Sequence, residues 1–125
     1  MDLTLLDQAH LPAELLRRAD QEPFLAGFVE PEVGKARTAI LYQGKLVGFF
    51  TPRERGGYHR TGAIFVLPAY RGRGIARAVI AQFFADKNGE AIIDDANHAS
   101  IKAFQAAGFR QDQAYDEQAH WYVKD

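Results

Sequence analysis

Cysteine is absent from the chain, which excludes disulfides, thiolate metal sites and cysteine nucleophiles and suits a cytoplasmic protein. No apolar run reaches the roughly 18 residues that a membrane-spanning helix needs. The opening residues, "MDLTLLDQAHLPAELL", start acidic and are interrupted by Pro12, so no secretory signal is expected. A dominant charge is missing too. Fifteen Lys and Arg stand against sixteen Asp and Glu, leaving a formal charge of −1, so no global field draws the chain to nucleic acid or to an anionic membrane. Neither is expected as a partner, and any basic site has to be local. There is no G-x-x-x-x-G-K-[ST] phosphate loop. His59, His98 and His120 are scattered without metal-ligand spacing, so no metal is expected.

What is present is the make-up of a globular chain. Hydrophobic residues are 47% of it, with 9 Phe and 5 Tyr, enough to build a core. A length of 125 residues fits a single domain over residues 1–125.

Leu11, Leu15 and Leu16 share one face at helical spacing, which predicts a helix over Leu11 to Ala19 with Pro12 in its first turn. Asp20 to Lys35 mixes two prolines, two glycines and four acids with Phe24, Leu25, Phe28 and Val29, and reads as a loop or short helix. Thr38 to Tyr42 and Leu46 to Phe50 flank Gln43-Gly44-Lys45 as a hairpin, because Gly44 supplies the positive φ of a tight turn. Thr51 to Gly57 reads as an exposed loop, and Tyr58 to Leu67 as one strand ended by Pro68.

Past Arg71 the residues Ile75, Val79 and Phe83, flanked by Ile80 and Phe84, predict the strongest helix, with Asn88-Gly89 as its stop. Ala91 to Asp94 is a short buried strand. "NHASIKAFQAAGF" reads as a helix capped by Asn97 at its start and Gly108 at its end. The tail alternates like a terminal pair of strands. Strand, helix, strand and helix in that order imply a parallel crossover after an antiparallel meander, hence a mixed α/β sheet flanked by helices.

The chemistry concentrates in "PAYRGRGIARAV", Pro68 to Val79, where a strand gives way to a helix. The first N–H groups of a helix have no intrahelical acceptor and carry the positive end of its dipole. Gly72 and Gly74 let a backbone approach a phosphate without a Cβ in the way, and Ala76 keeps the first turn slim. Arg71, Arg73 and Arg77 add charge to the same mouth. A dinucleotide fingerprint is ruled out, because Arg77 stands where its third glycine belongs and Pro68 separates the turn from the strand. A nucleic-acid patch lacks a basic neighbourhood. Two readings stay open on these residues alone: a solvated basic helix start, or a cradle for a phosphorylated cofactor.

"IFVLPAYRGRGIAR" resembles the acyl-CoA-binding signature of the GNAT superfamily of N-acetyltransferases, R/Q-x-x-G-x-G/A, with Arg71, Gly74 and Ala76 on its defining positions. "NHASIKAFQAAGF" is similar to a second segment of that family, with Asn97, Ser100, Ala103, Phe104, Gly108 and Phe109 in register. The resemblance covers roughly residues 38 to 110. It implies a mostly antiparallel sheet with a central parallel pair splayed at the cofactor site. It also implies acetyl-CoA as co-substrate, its pyrophosphate on the turn Gly72, Arg73, Gly74, Ile75, Ala76 and Arg77, with Arg71 beside it. The pantetheine arm would pair like a strand with Ile64, Phe65 and Val66, where an amide can also polarise the thioester carbonyl. Asn97 and Phe104 would line the arm's other side.

The implied reaction is direct attack of a small-molecule or peptide primary amine on the thioester, which needs a neutral amine and a proton for the leaving thiolate. Phe104 occupies the position of the family's frequent acid, a tyrosine, and has no proton to give. Ile92, Thr61 and Arg60 occupy frequent base positions, so no catalytic acid or base is assigned. Ser100 and Asp94 are the substitutes, each read first as a structural helix or turn cap and only second as catalytic. Glu22, Glu30 and Glu32 with Phe24 and Phe28 would attract a cationic acceptor, or only solvate a loop. A non-catalytic acyl-CoA-binding domain is the alternative function, and the strands of the tail offer a surface for a homodimer.

Overall fold

The computed structural model describes residues 1–25, 37–62 and 64–125. In chain order its elements are β1 (Leu3–Ala9), α1 (Ala13–Asp20), β2 (Arg37–Tyr42), β3 (Lys45–Phe50), β4 (Arg53–Arg55), β5 (Tyr58–Arg60) and β6 (Ile64–Val66). A 3₁₀ turn (Pro68–Tyr70) follows, then α2 (Ile75–Phe83), β7 (Gly89–Asp94), α3 (His98–Ala106), β8 (Arg110–Ala114) and β9 (Ala119–Lys124). One sheet has the order β1-β2-β3-β6, the other β4-β5-β7-β9-β8. All pairings are antiparallel except β5 with β7, which meet in parallel at His59 and Gly89. No helix among the described residues is long and apolar enough to cross a membrane.

The expected mixed α/β architecture is present, with four local differences. Strand β1 lies in a stretch for which no element is expected from the sequence. Its outer residues are largely exposed, so it lacks a clean inside-outside alternation and is held by its pairing with β2.

The segment expected as a loop contains β4, which turns through Gly56 and Gly57 (φ +58° and +85°) into β5. A two-residue Gly-Gly turn is itself a hairpin signal.

The single strand expected over Tyr58 to Leu67 is divided. Gly62 takes a φ of +58°, and a Cβ there would stand 2.8 Å from the Thr51 carbonyl oxygen. The chain therefore bends at Gly62, β5 stays in one sheet and β6 joins β3 in the other.

Gly89 does not stop α2 but opens β7. Its surroundings leave no room for a side chain, because a Cβ would stand 2.5 Å from the Phe109 ring. α2 ends earlier, and Lys124 from β9 donates to the carbonyls of Phe84 (2.8 Å) and Lys87 (3.0 Å) just beyond it. Lys124→Met is expected to keep the fold while costing about 1–3 kcal/mol, because it strands the Lys87 carbonyl and leaves that of Phe84 with only the Lys87 amide. A melting curve lowered by several degrees would check this.

Packing explains how two sheets make one body. Leu15, Leu16 and Ala19 of α1 bury against Phe49 and Phe65 on one face of the first sheet. Ile75 and Val79 of α2 bury against Ile40, Val47, Phe50 and Val66 on the other. Ile80 and Phe84 reach the second sheet's cluster of Ile93, Phe104, Phe109 and Tyr122. α2 thus bridges both sheets on a single face. α3 closes as expected: the Phe109 amide reaches the Phe104 carbonyl and the Gly108 amide that of Gln105, with Gly108 at φ +99°.

Candidate functional site

The bend at Gly62 sets up the site. Among the described residues β7 pairs with β5 only at its first residue and β6 pairs with β3 alone, so β6 and β7 diverge and β6 presents an edge with no strand beside it. The Leu67 amide donates to the Val47 carbonyl at 2.8 Å. By the alternation of antiparallel bonding, Phe65 then spends its main chain on Phe49, while Ile64 and Val66 turn theirs outward. Of the three residues expected along the arm, two therefore face the cleft. The side chains of Phe65 and Val66 are buried, and that of Ile64 is half-buried.

At the end of β6 the chain passes through the 3₁₀ turn into the glycine-rich turn. Gly72 and Gly74 both adopt a positive φ, +77° and +79°. Among the described residues, the chain neighbours apart, no atom lies within 4 Å of a Cβ placed on Gly72, and only the Met1 Cε, at 3.9 Å, approaches one on Gly74. The Ala78 amide makes the first bond of α2, to the Gly74 carbonyl. Among the described residues the amides of positions 72 to 77 have no acceptor. The turn is therefore an open set of donors at a helix start, as a phosphate group requires. Ile75 roots it: its side chain is buried in the core while its amide stays at the mouth. Ala76 is half-buried behind it.

The three arginines differ. Arg73 lies over the Tyr70 ring at 5.3 Å, and Tyr70 meets Tyr42 edge-on at 6.3 Å. Arg77 is exposed at the first turn of α2. Arg71 is engaged by the protein instead: its Nε donates to the Val66 carbonyl at 2.9 Å and its Nη2 to Glu22 at 2.8 Å.

Across the cleft, the Asn97 Oδ1 accepts from the Ser100 amide at 3.3 Å and so caps α3. Asp94 accepts from the Ala96 amide at 2.9 Å, the turn-capping arrangement. Ser100 is half-buried one turn before Phe104. Phe104 is 5% exposed and packs edge-on against Phe109 at 5.0 Å, so its ring belongs to the core.

Ile92 is 41% exposed and Thr61 is buried. Arg60 donates to Glu90 at 2.7 Å and lies over Trp121 at 5.0 Å. A depression of about 480 Å³ beside Arg60, Glu90 and Trp121 includes none of the motif residues. The His120 Nδ1 stands 2.7 Å from the Asp95 Oδ1, a pairing that no spacing along the chain suggests. Burial pushes the Tyr122 hydroxyl above its ordinary pKa, and the Asp95 charge adds to the shift. No group of three or more metal-ligating residues occurs among the described residues. Of the expected acceptor-side residues, Glu22 and the exposed Phe24 are described, whereas Phe28, Glu30 and Glu32 lie outside the described residues.

Solved structures share this architecture. An acetyltransferase from Thermus thermophilus superimposes with a TM-score of 0.72 at 18% identity, over 99% of this chain and 97% of that one. A GNAT family acetyltransferase from Elizabethkingia anophelis with acetyl-CoA bound gives 0.71 at 13%, over 99% and 98%. A variant of the spermidine N-acetyltransferase from Vibrio cholerae gives 0.68 at 15%, over 98% and 93%. No curated protein matches the sequence significantly. Residues 34–111, more than half of the chain, match the family described as the acetyltransferase (GNAT) domain. With that match on top of the split sheet and the open glycine turn, the chain belongs to the GNAT family of acetyltransferases.

Proposed function

We propose that this chain transfers an acetyl group from acetyl-CoA to a primary amine of a small molecule or peptide in the cytoplasm. One observation carries the reading: among the described residues, an open turn of unpartnered amides, Gly72 to Arg77, stands at the end of a strand with no further strand on its outer edge. That edge and that turn suit the two halves of coenzyme A, and a structural neighbour with the same fold has acetyl-CoA bound. Bound there, acetyl-CoA supplies an acetyl group already activated as a thioester.

The protein's own residues do the rest. The amides of 72 to 77 hold the pyrophosphate, with Arg73 and Arg77 adding charge. The Val66 amide and the main chain of Ile64 hold the arm as a further strand would. An outward amide on β6 aimed at the thioester oxygen stabilises the charge that develops on it. Asp94 is occupied as a turn cap and Phe104 is buried, so as the C–N bond forms and the C–S bond breaks the amine's proton passes to solvent or by way of the Ser100 hydroxyl, and the departing thiolate takes its proton by the same route.

The absence of an ionisable group at Phe104 favours a second reading, a domain that binds acyl-CoA without turnover. A panel of polyamines, amino acids, aminoglycosides and lysine peptides, read out as thiol release from acetyl-CoA, separates the two. Turnover with at least one amine class is expected. Binding of acetyl-CoA with no thiol released by any of them would establish the binding domain instead.

A further inference from the structure

Arg71 occupies the first position of the glycine-rich motif, yet its contacts run into the protein. Its Nε holds the Val66 carbonyl at 2.9 Å and its Nη2 holds the Glu22 carboxylate at 2.8 Å. Its guanidinium carbon stands 5.7 Å from the centre of the Phe65 ring. Val66 is the last residue of β6, and its carbonyl belongs to the free edge that faces the cleft. Glu22 lies in the turn just after α1. One planar group therefore ties together three places: the cleft edge, the end of α1 and the mouth of the phosphate turn. Its charge is also balanced locally by Glu22, so among the described residues the positive charge of the mouth that has no carboxylate partner falls to Arg73 and Arg77.

We infer that Arg71 is a positioning residue for the pantetheine arm and not a ligand of the pyrophosphate. By occupying the Val66 carbonyl it removes that acceptor from the edge, and it leaves the Val66 amide and the Ile64 main chain as the groups open to an incoming strand-like ligand. It also holds β6 at the distance from the turn that lets one ligand reach both. A lysine cannot replace it, because a single ammonium has no rigid fork to span a carbonyl and a carboxylate at once. The inference rests on the proposed binding of coenzyme A, and the experiment separates the two.

The probes are coenzyme A and 3′-phospho-ADP, its nucleotide half, which carries the pyrophosphate but no arm. Affinities are measured by calorimetry for the wild-type chain, Arg71→Gln, Arg71→Lys, Glu22→Gln and Arg73→Gln. Arg71→Gln and Arg71→Lys are expected to weaken coenzyme A about tenfold, the scale of one charge-assisted hydrogen bond. They should leave 3′-phospho-ADP within about twofold. Arg73→Gln should weaken both ligands alike.

Equal losses on both ligands for Arg71→Gln would make Arg71 a phosphate ligand and overturn the inference. So would unchanged affinity for both ligands, or full recovery with Arg71→Lys. If Arg71→Gln does not fold, Glu22→Gln decides. A loss of about threefold confined to coenzyme A supports the clasp, and no loss overturns it. Failure of the wild-type chain to bind either probe would refute coenzyme A binding itself.

Discussion

Gly74→Glu is expected to abolish acetyl-CoA binding, lowering affinity by roughly two orders of magnitude or more, while the chain stays folded. The residue sits at φ +79° as the N-cap of α2, and among the described residues beyond its chain neighbours a Cβ there meets only the Met1 Cε within 4 Å. The substitution therefore displaces no packed atom. Left-handed backbone costs a residue with a Cβ about 1–2 kcal/mol, but that cost falls on the free and bound states alike and appears as lost stability. The binding loss has a different origin. A carboxylate at the mouth satisfies the amides of 72 to 77 from within and repels the pyrophosphate those amides would hold. Gly74→Ala serves as the control, since it carries the strain without the charge and should bind nearly as well as wild type. Thermal melting with and without acetyl-CoA reads both effects. A Gly74→Glu chain that still gains stability from the cofactor would show that the pyrophosphate sits elsewhere.

Gly48→Ala is expected to cost more than about 4 kcal/mol, a large part of the stability of an ordinary domain. A Cβ on Gly48 would stand 2.0 Å from the Phe65 carbonyl oxygen, 3.0 Å from the Phe65 carbonyl carbon and 3.1 Å from the Val66 Cα. Carbon and oxygen in adjacent strands ordinarily stay about 3.3 Å apart or more. All three obstacles are backbone, so no rotamer change relieves them, and β3 and β6 have to separate. That separation breaks the pairing of Gly48 with Val66 and Phe49 with Phe65. It also exposes both faces of the first sheet, where Phe49 and Phe65 on one side and Phe50 on the other are almost fully buried. Loss of soluble yield or of a cooperative melt is the expected outcome. A Gly48→Ala chain melting within a few degrees of wild type would mean that the two strands have slack. Because Val66 carries the free edge of the cleft, a partly folded variant should lose coenzyme A binding with its stability.

Much of the site is legible in the sequence because its determinants are local. Gly72, Gly74 and the apolar rhythm of Ile75, Val79 and Ile80 specify a strained turn feeding a helix. The free amides follow from that geometry wherever the turn is placed. Asn97 and Gly108 likewise announce the two ends of α3, since caps act within one helical turn.

Other features are not legible, because they join residues far apart in the chain. No spacing links Lys124 to the end of α2, Glu22 to Arg71 or His120 to Asp95. Gly89 reads as a helix stop in the sequence and proves to be a strand residue. A glycine enforced by the rings of Phe109 and Phe84 looks the same in a string of letters as one enforced by a turn. The packing of Phe104 is hidden in the same way: no spacing along the chain shows that its ring lies between Phe84 and Phe109.

Neighbours within a few residues are enough to specify the helices, the central hairpin, the glycine-rich turn and the family resemblance, so these can be read from the letters alone. Where the cleft opens, and which groups line it, emerges only when the chain is folded. The bend at Gly62 depends on the approach of Thr51. The free edge of β6 depends on β7 pairing elsewhere, and Arg71 is held against β6 because the Val66 carbonyl and Glu22 are within its reach. Those are contacts between distant segments, and no local propensity encodes them.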